Sequence, residues 1–292
     1  MITQCYICGS KERSLRHNRV RDDENIGVWE CEACGLVYLD RHKTSEEFYT
    51  DGKMHDARVE ALVGGGGGNS YERIDEDARR RFEFSKEMIA NKRLLDFGSG
   101  YGAYLRLAQE VASEVAGVEI ESSVKACYER ANIALYRSID EAKGSFDMIT
   151  CFHVLEHLPK PIESLRAFSK RLSLGGKILL EVPNANDALL TLYKSEAFAD
   201  FTYWSAHLYL FTPHTLERCI TQAGLKVEFI KCVQRYPLSN HLYWLSCNKP
   251  AGHKAWGQFL DSVLLNQAYG DALSSNGMSD TLLALVSVPE SK

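Results

Sequence analysis

Beyond Phe84 the chain alternates short, β-rich apolar runs with amphipathic helical stretches, the pattern of a parallel sheet covered on both faces. Strands are expected near Arg93–Phe97, Val115–Ile120, Phe146–Cys151, Lys177–Val182, Lys226–Cys232 and Thr281–Val288. The intervening helices are expected at Ala103–Ala112, Ser122–Ala131, Ile162–Leu172 and His214–Ala223, with glycine turns at Leu174-Gly175-Gly176-Lys177 and Ala223-Gly224-Leu225. A stretch over 236–279, with a helix near Lys254–Leu273, interrupts the alternation before the last strand and is expected beside the mouth of the site. There are no internal repeats.

Residues 1–45 hold two cysteine pairs and few aliphatic side chains, so they cannot fold on their own apolar area. Residues 46–85 suggest a helical lid or linker. The run Gly64–Gly68 breaks it with maximal backbone freedom, as an engineered linker or a natural hinge would. The expected organisation is a metal-binding element over 1–45, the lid over 46–85, and an α/β domain over 86–292 with the 236–279 insertion.

Composition narrows the function. The chain has 292 residues, 45% hydrophobic and 25% charged, which excludes a disordered or fibrous protein. A net charge of −5 and a pI near 6.0 disfavour a nucleic-acid partner, which would call for a basic face. There is no membrane-spanning run and no signal-peptide pattern, so the cytoplasm is expected. Of nine cysteines, four form two Cys-x-x-Cys pairs and five are scattered, a metal pattern plus reduced thiols.

In Leu94-Leu95-Asp96-Phe97-Gly98-Ser99-Gly100-Tyr101-Gly102 an apolar strand runs into glycines that open a helix, leaving backbone that a ligand can approach. Glu119 ends the second strand 23 positions beyond Asp96, where an acid can hold ribose hydroxyls. The third glycine comes too early for a dinucleotide fingerprint, and no Gly-Lys-Ser/Thr awaits a triphosphate.

With Phe146-Asp147-Met148-Ile149 and His153-Val154-Leu155-Glu156-His157-Leu158 following in order, the series resembles the class I S-adenosylmethionine-dependent methyltransferases over about Leu94 to Val288. The resemblance implies a Rossmann-like, doubly wound α/β fold: a seven-stranded, mostly parallel sheet with an antiparallel last strand. It implies S-adenosylmethionine as cofactor, with Asp96, Gly98, Ser99, Gly100, Tyr101 and Gly102 around its methionine moiety. Glu119, with Ile120, would hold the ribose, Asp140 or else Ser138 would face the adenine amino group, and His153 would border the site.

Cys5-Tyr6-Ile7-Cys8-Gly9 and Cys31-Glu32-Ala33-Cys34-Gly35 form two knuckles, and four thiolates suit a closed, structural zinc site. A redox dithiol is the alternative, but two matched pairs exceed its needs. A four-cysteine element fused to a methyltransferase resembles the deoxysugar C-methyltransferases, whose further C-terminal domain is not expected here, and also a ribosomal RNA methyltransferase group.

Methyl transfer requires alignment of the acceptor and, for a hydroxyl or carbon acid, a base. His153, Asn184 and His207 follow strands or lie in loops at the right end of the sheet. The sugar enzymes carry Glu-His where this chain has Ala206-His207, so His207 is expected as general base or as a histidine that hydrogen-bonds the lid. His153, Glu156 and His157, at i, i+3 and i+4, share one face of a helical turn and could bind a metal. Some quinone-pathway and small-RNA methyltransferases use a divalent ion with Glu-x-x-Glu-His here; capping and packing of the next helix is the other reading. Tyr49, Tyr71, Tyr203, Trp204, Tyr209 and Trp244 are candidates to line an acceptor pocket.

The expected function is methylation of a small-molecule or glycan-type acceptor, such as a sugar nucleotide, polysaccharide or secondary metabolite, with O-methylation ahead of C-methylation. The alternatives are RNA methylation guided by the zinc element and a non-catalytic cofactor-binding scaffold.

Overall fold

A computed structural model describes residues 1–43 and 76–289; Gly64–Gly68, Tyr49 and Tyr71 lie outside the described residues. The first segment carries β1 (Arg13–His17), β2 (Val28–Cys31) and β3 (Val37–Leu39). Helix α1 (Glu76–Ile89) leads to β4 (Arg93–Phe97), α2 (Ala103–Ala108), β5 (Glu114–Val118), α3 (Lys125–Ala131), β6 (Ala134–Tyr136) and β7 (Phe146–Phe152). There follow α4 (Pro161–Ser169), β8 (Leu172–Pro183), α5 (Ala188–Thr191), α6 (Glu196–Thr202), β9 (Tyr209–Leu210), α7 (Pro213–Gln222) and β10 (Lys226–Val233). Helices α8 (Leu238–Cys247), α9 (Gly252–Ala255), α10 (Gly257–Leu260) and α11 (Val263–Ser275) precede β11 (Thr281–Ser287).

Seven strands form one sheet in the order β10-β11-β8-β7-β4-β5-β6. β4 to β8 run parallel, and β11 is antiparallel to both β8 and β10, which is the Rossmann-like arrangement expected. The two-residue period of each strand explains the layers. Leu94, Met148, Leu179, Leu283 and Leu285 face one side and pack with α1, α2 and α3. Leu95, Ile149, Ile178, Leu180, Leu282 and Ala284 face the other and pack with α4 and α7. Each such leucine, taken wholly out of water, contributes about 1.5–3 kcal/mol. α7 starts where the sequence signals it, with Pro213 in the first turn and a Thr212–Thr215 capping box.

Two elements depart from expectation. β6 is only three residues long on the sheet edge, too short for periodicity to register. The helix expected over Lys254–Leu273 is three helices: Asp261 leaves helical backbone (ψ 131°) and accepts from Ser239 Oγ of α8 at 2.6 Å, and Ser262 then caps α11 through the Leu265 amide.

The cysteine-bearing segment does not fold apart. β1, β2 and β3 form an antiparallel sheet completed by β9, with Val37 opposite Leu210 and Tyr38 opposite Tyr209. Its apolar residues, Ile26, Leu36 and Leu39 among them, join the same buried cluster as α4 and α7. No described helix is long and apolar enough to cross a membrane.

Candidate active site

The glycine turn expected to take the cofactor lies at the C-terminal ends of β4 and β5. From Phe97 the chain turns through Gly98 (φ 71°), Gly100 (φ 50°) and Gly102 (φ 72°) into α2. A Cβ at Gly98 would lie 2.3 Å from Val154 Cγ2, so both the left-handed backbone and the neighbouring loop demand glycine. The Gly98 and Ser99 amides donate to the Val118 carbonyl (2.8 and 3.2 Å), tying the turn to β5.

Glu119 bridges the turn and the end of β5: Oε2 accepts from the Gly100 amide (2.9 Å), and Oε1 from the Ile120 (2.8 Å) and Glu121 (3.1 Å) amides. Tyr128 of α3 braces the turn from below, its hydroxyl 2.6 Å from Ser99 Oγ and 3.0 Å from the Gly100 carbonyl. Asp96 is buried and accepts from Thr150 Oγ1 at 2.7 Å. Burial pushes its carboxyl up to about 7, against the Thr150 hydrogen bond and the charge of Arg81.

A charged network lies alongside. Glu181, wholly buried on β8, accepts from Arg80 Nη2 (2.8 Å) and from Arg81 Nε and Nη2 (2.9 and 2.8 Å). Burial alone would raise its pKa; Arg81, His153 and Arg235 instead hold it well below the usual carboxylate range. Arg235 forks onto the Asp77 carboxylate and places Nη1 2.9 Å from His153 Nε2. His153 itself sits in the left-handed region (φ 54°), held there by its amide on the Glu181 carbonyl at 2.7 Å.

Next to this network, Glu156, His157 and His207 converge, one ligand atom from each lying within 4.8 Å of the others. His157 Nδ1 donates to the Ala206 carbonyl (2.8 Å) and His207 Nδ1 to the Thr202 carbonyl (3.1 Å). Those carbonyls can only accept, so each ring keeps its lone pair on Nε2. Glu156 is wholly buried; its Oε1 lies 3.3 Å from His153 Nδ1 and 3.9 Å from His157 Nε2, and its Oε2 is buried with no hydrogen-bond partner. Two imidazole lone pairs and an orphaned carboxylate oxygen fit a divalent cation. His207 and His153 also border a cavity of about 280 Å³ whose other walls include Phe198, Phe201, Tyr236 and Trp244.

The four cysteines of the knuckles also meet. Cys5 and Cys34 sulfurs are 3.5 Å apart, Cys8 and Cys31 sulfurs 3.4 Å, and all four lie within 4.8 Å of one another. Gly9 (φ 73°) and Gly35 (φ 79°) close the two knuckles, each amide donating to the carbonyl of the first cysteine in its pair. Sulfurs on a tetrahedral zinc at about 2.3 Å would sit a little under 4 Å apart, so the set fits that ion.

A family profile described as "Methyltransferase domain" matches residues 71–229, more than half of the chain. The chain belongs to this methyltransferase family. The methyltransferase is S-adenosylmethionine-dependent, as the family match and the fold together show. It is 26% identical over 197 residues, 59% of this chain and 82% of the relative, to a ubiquinone biosynthesis O-methyltransferase of Hydrogenovibrio crunogenus. It is 27% identical over 168 residues, 52% of this chain and 72% of the relative, to one from Burkholderia pseudomallei. Its fold is like that of magnesium protoporphyrin IX methyltransferase from Synechocystis PCC 6803 with bound SAH: TM-score 0.50, 12% identity, covering 84% of this chain and 97% of that one. These quinone-pathway names stand where the sequence resemblance points to sugar C-methyltransferases.

The methyltransferase brings Asp96 through Gly102, Glu119 and Ile120 together at the strand ends. Asp140 is exposed, and its carbonyl accepts from Arg171, which opens the N-terminal end of β8; Ser138 lies nearer the C-terminal end of β6. Asn184 is buried and its Nδ2 donates to the Gly277 (2.9 Å) and Ser279 (2.7 Å) carbonyls. Burial and the neighbouring His157 bring His207 down to about 3, so its ring is held neutral. Of the three residues that spacing puts on one face, His153 turns Nε2 toward Arg235 and Glu181 while its Nδ1 lies 3.3 Å from Glu156 Oε1, and the group whose geometry could hold a metal is Glu156, His157 and the remote His207. Tyr203 and Tyr209 bond to Arg16 and the Pro159 carbonyl instead of facing the cavity, whereas Trp244 lines it.

Arg80, Arg81, Arg235 and Tyr128 escaped the sequence reading. One signal was visible, an acid inside the apolar run Leu179-Leu180-Glu181-Val182, which requires buried cationic partners.

Proposed function

We propose that this methyltransferase moves the methyl group of S-adenosylmethionine to a hydroxyl of a small, planar acceptor, beside a divalent ion held by Glu156, His157 and His207. The observation that carries this reading is the convergence of those three groups, one of which, His207, lines an aromatic-walled cavity. The names of the quinone-pathway O-methyltransferase relatives support a small-molecule oxygen acceptor. A divalent ion at this place supplies charge that lowers the pKa of an adjacent hydroxyl.

The remaining work falls to side chains. Glu119 holds the cofactor's ribose, and Asp96 faces its methionine ammonium. Arg80 and Arg81, already paired with an acid, supply positive charge for its carboxylate. Phe198, Phe201, Tyr236 and Trp244 orient a flat acceptor so that its oxygen lies in line with the methyl–sulfur bond. As the O–C bond forms the S–C bond breaks with its electron pair left on sulfur, giving S-adenosylhomocysteine, and the hydroxyl proton passes to solvent water. The four cysteines hold a structural zinc in the 1–45 element, and the unit over 86–292 carries the chemistry.

The test is incubation with methyl-labelled S-adenosylmethionine and a panel of dihydroxybenzenes and sugar nucleotides, before and after removal of the weaker ion by chelation. Methylated dihydroxybenzene that is lost on chelation and restored by divalent ion, with two ions per chain in the active protein, is the expected result. A methylated sugar nucleotide would move the acceptor to the glycan class. Turnover with one tightly held ion per chain, indifferent to chelation, would remove the second ion.

A further inference from the structure

His207 stands on a turn whose grip comes largely from the far end of the chain. Its own amide closes the turn on the Trp204 carbonyl at 2.9 Å. Ser205, inside that turn, is pinned twice by Asp22: Oδ1 accepts from its amide (3.0 Å) and Oδ2 from its hydroxyl (2.5 Å). On the upstream side the Arg21 amide donates to the Tyr203 carbonyl (2.8 Å), and the Arg21 guanidinium lies 4.2 Å from the Trp204 ring centroid. Arg16 Nε donates to the Tyr203 hydroxyl at 2.8 Å. Downstream the Leu39 amide donates to the Leu208 carbonyl (3.1 Å), and Tyr38 pairs with Tyr209. From the α/β side the turn receives the His157 ring on the Ala206 carbonyl, and the chain beyond it the Tyr209 hydroxyl on Pro159.

We propose that the cysteine element is a positioning device for His207, with Asp22 and Arg21 as positioning residues that fix the 203–208 turn so the imidazole meets Glu156 and His157. This rests on the reading of His207 as an ion ligand. The knuckles therefore serve a site to which they contribute no ligand. A rigid, metal-stapled sheet defines the two sides of a turn that a free loop would leave to fluctuate, and a misplacement of about 1 Å is enough to cost on the order of 10²-fold in rate.

The experiment compares Asp22→Ala, Asp22→Asn and Arg21→Met with Glu24→Ala, an exposed change in the same segment, all assayed well below their melting transitions. Asp22→Ala is expected to lower kcat about 10-fold and to weaken Mn²⁺ binding at the second site by a similar factor. The KM for acceptor and the affinity for S-adenosylhomocysteine stay within about twofold, since neither contacts Asp22 in this reading. Asp22→Asn, which keeps one acceptor for the Ser205 amide, recovers part of the loss, and Glu24→Ala changes nothing. A merely structural role would lower the melting temperature and leave kcat and Mn²⁺ affinity alone, which overturns the proposal.

Amide exchange at 205–208 needs no acceptor. Its acceleration in Asp22→Ala, with exchange at 155–157 unchanged, supports the clamp even where the proposed acceptor fails. Unchanged exchange there sinks the clamp even where the acceptor holds.

Discussion

On the proposed cofactor side, the turn and the ribose carboxylate come from one stretch of chain and the strand beside it: Asp96 to Gly102 supply the turn, and Glu119 lies at the adjoining strand end. The proposed acceptor side is assembled from separate stretches of chain. Glu156 and His157 come from the loop after β7, His207 from a turn held by the cysteine element, Arg235 from beyond β10, and the cavity wall from the helices before β11. The first half is a backbone device, in which glycine conformation and amide direction make the site. The second is a side-chain device, whose geometry depends on how distant elements pack. The cofactor is the constant of such an enzyme and the acceptor its variable, and the construction follows that division.

The comparison can be broken most sharply at Glu156. Glu156→Gln keeps the shape and removes the anionic oxygen, so turnover is expected to fall about 10²-fold, while calorimetry finds S-adenosylhomocysteine binding within about twofold of the parent. Comparable losses of turnover and of cofactor affinity would mean that the two halves are not separable.

Gly98→Ala makes the opposite cut. The left-handed backbone costs about 1–2 kcal/mol for a residue with a Cβ, and contact with Val154 adds to it. Cofactor affinity is expected to drop by at least about 10-fold, whereas divalent-ion binding at Glu156, His157 and His207 stays intact. Equal weakening of both would show one coupled site.

The smallest effect is on stability against pH. The folded Asp96 carboxyl lies at about 7, above its unfolded value near 3.8. The protonated form is thus favoured by folding: its contribution is complete below about pH 4 and is lost as pH rises through 7, at up to about 1.4 kcal/mol per pH unit. Urea denaturation of the cofactor-free protein between about pH 5 and pH 8 should show this slope in the difference between parent and Asp96→Asn. Asp187, raised by burial to about 8, adds a slope of the same sign, whereas burial lowers His207 to about 3 and His241 to about 4 and so opposes it below about pH 6.5; the Asp96 contribution is therefore the difference between the parent and Asn curves. An Asn variant with the parent's full pH dependence would place the titration elsewhere.

Much of this was legible in the chain. The sheet and its flanking helices followed from apolar periods of two and of three to four, because burial on two faces leaves no other pattern. The cofactor turn was legible because its determinants are backbone angles set within nine residues, Leu94 to Gly102, and local conformation is what local sequence encodes. The meeting of the cysteines was legible too, since each pair has its spacing fixed by one knuckle.

Packing decided the rest. Spacing put His153 with Glu156 and His157; the fold kept His153 Nδ1 near Glu156 but turned its Nε2 to Arg235 and Glu181, and brought in His207, 50 residues beyond His157 in the sequence. No periodicity reports that Asp22 will meet Ser205, or that β3 will pair with β9. Turn geometry is short-range and can be written in a few residues. The mutual approach of charged side chains from separate elements is fixed only when the whole interior closes and each buried charge must find its partner.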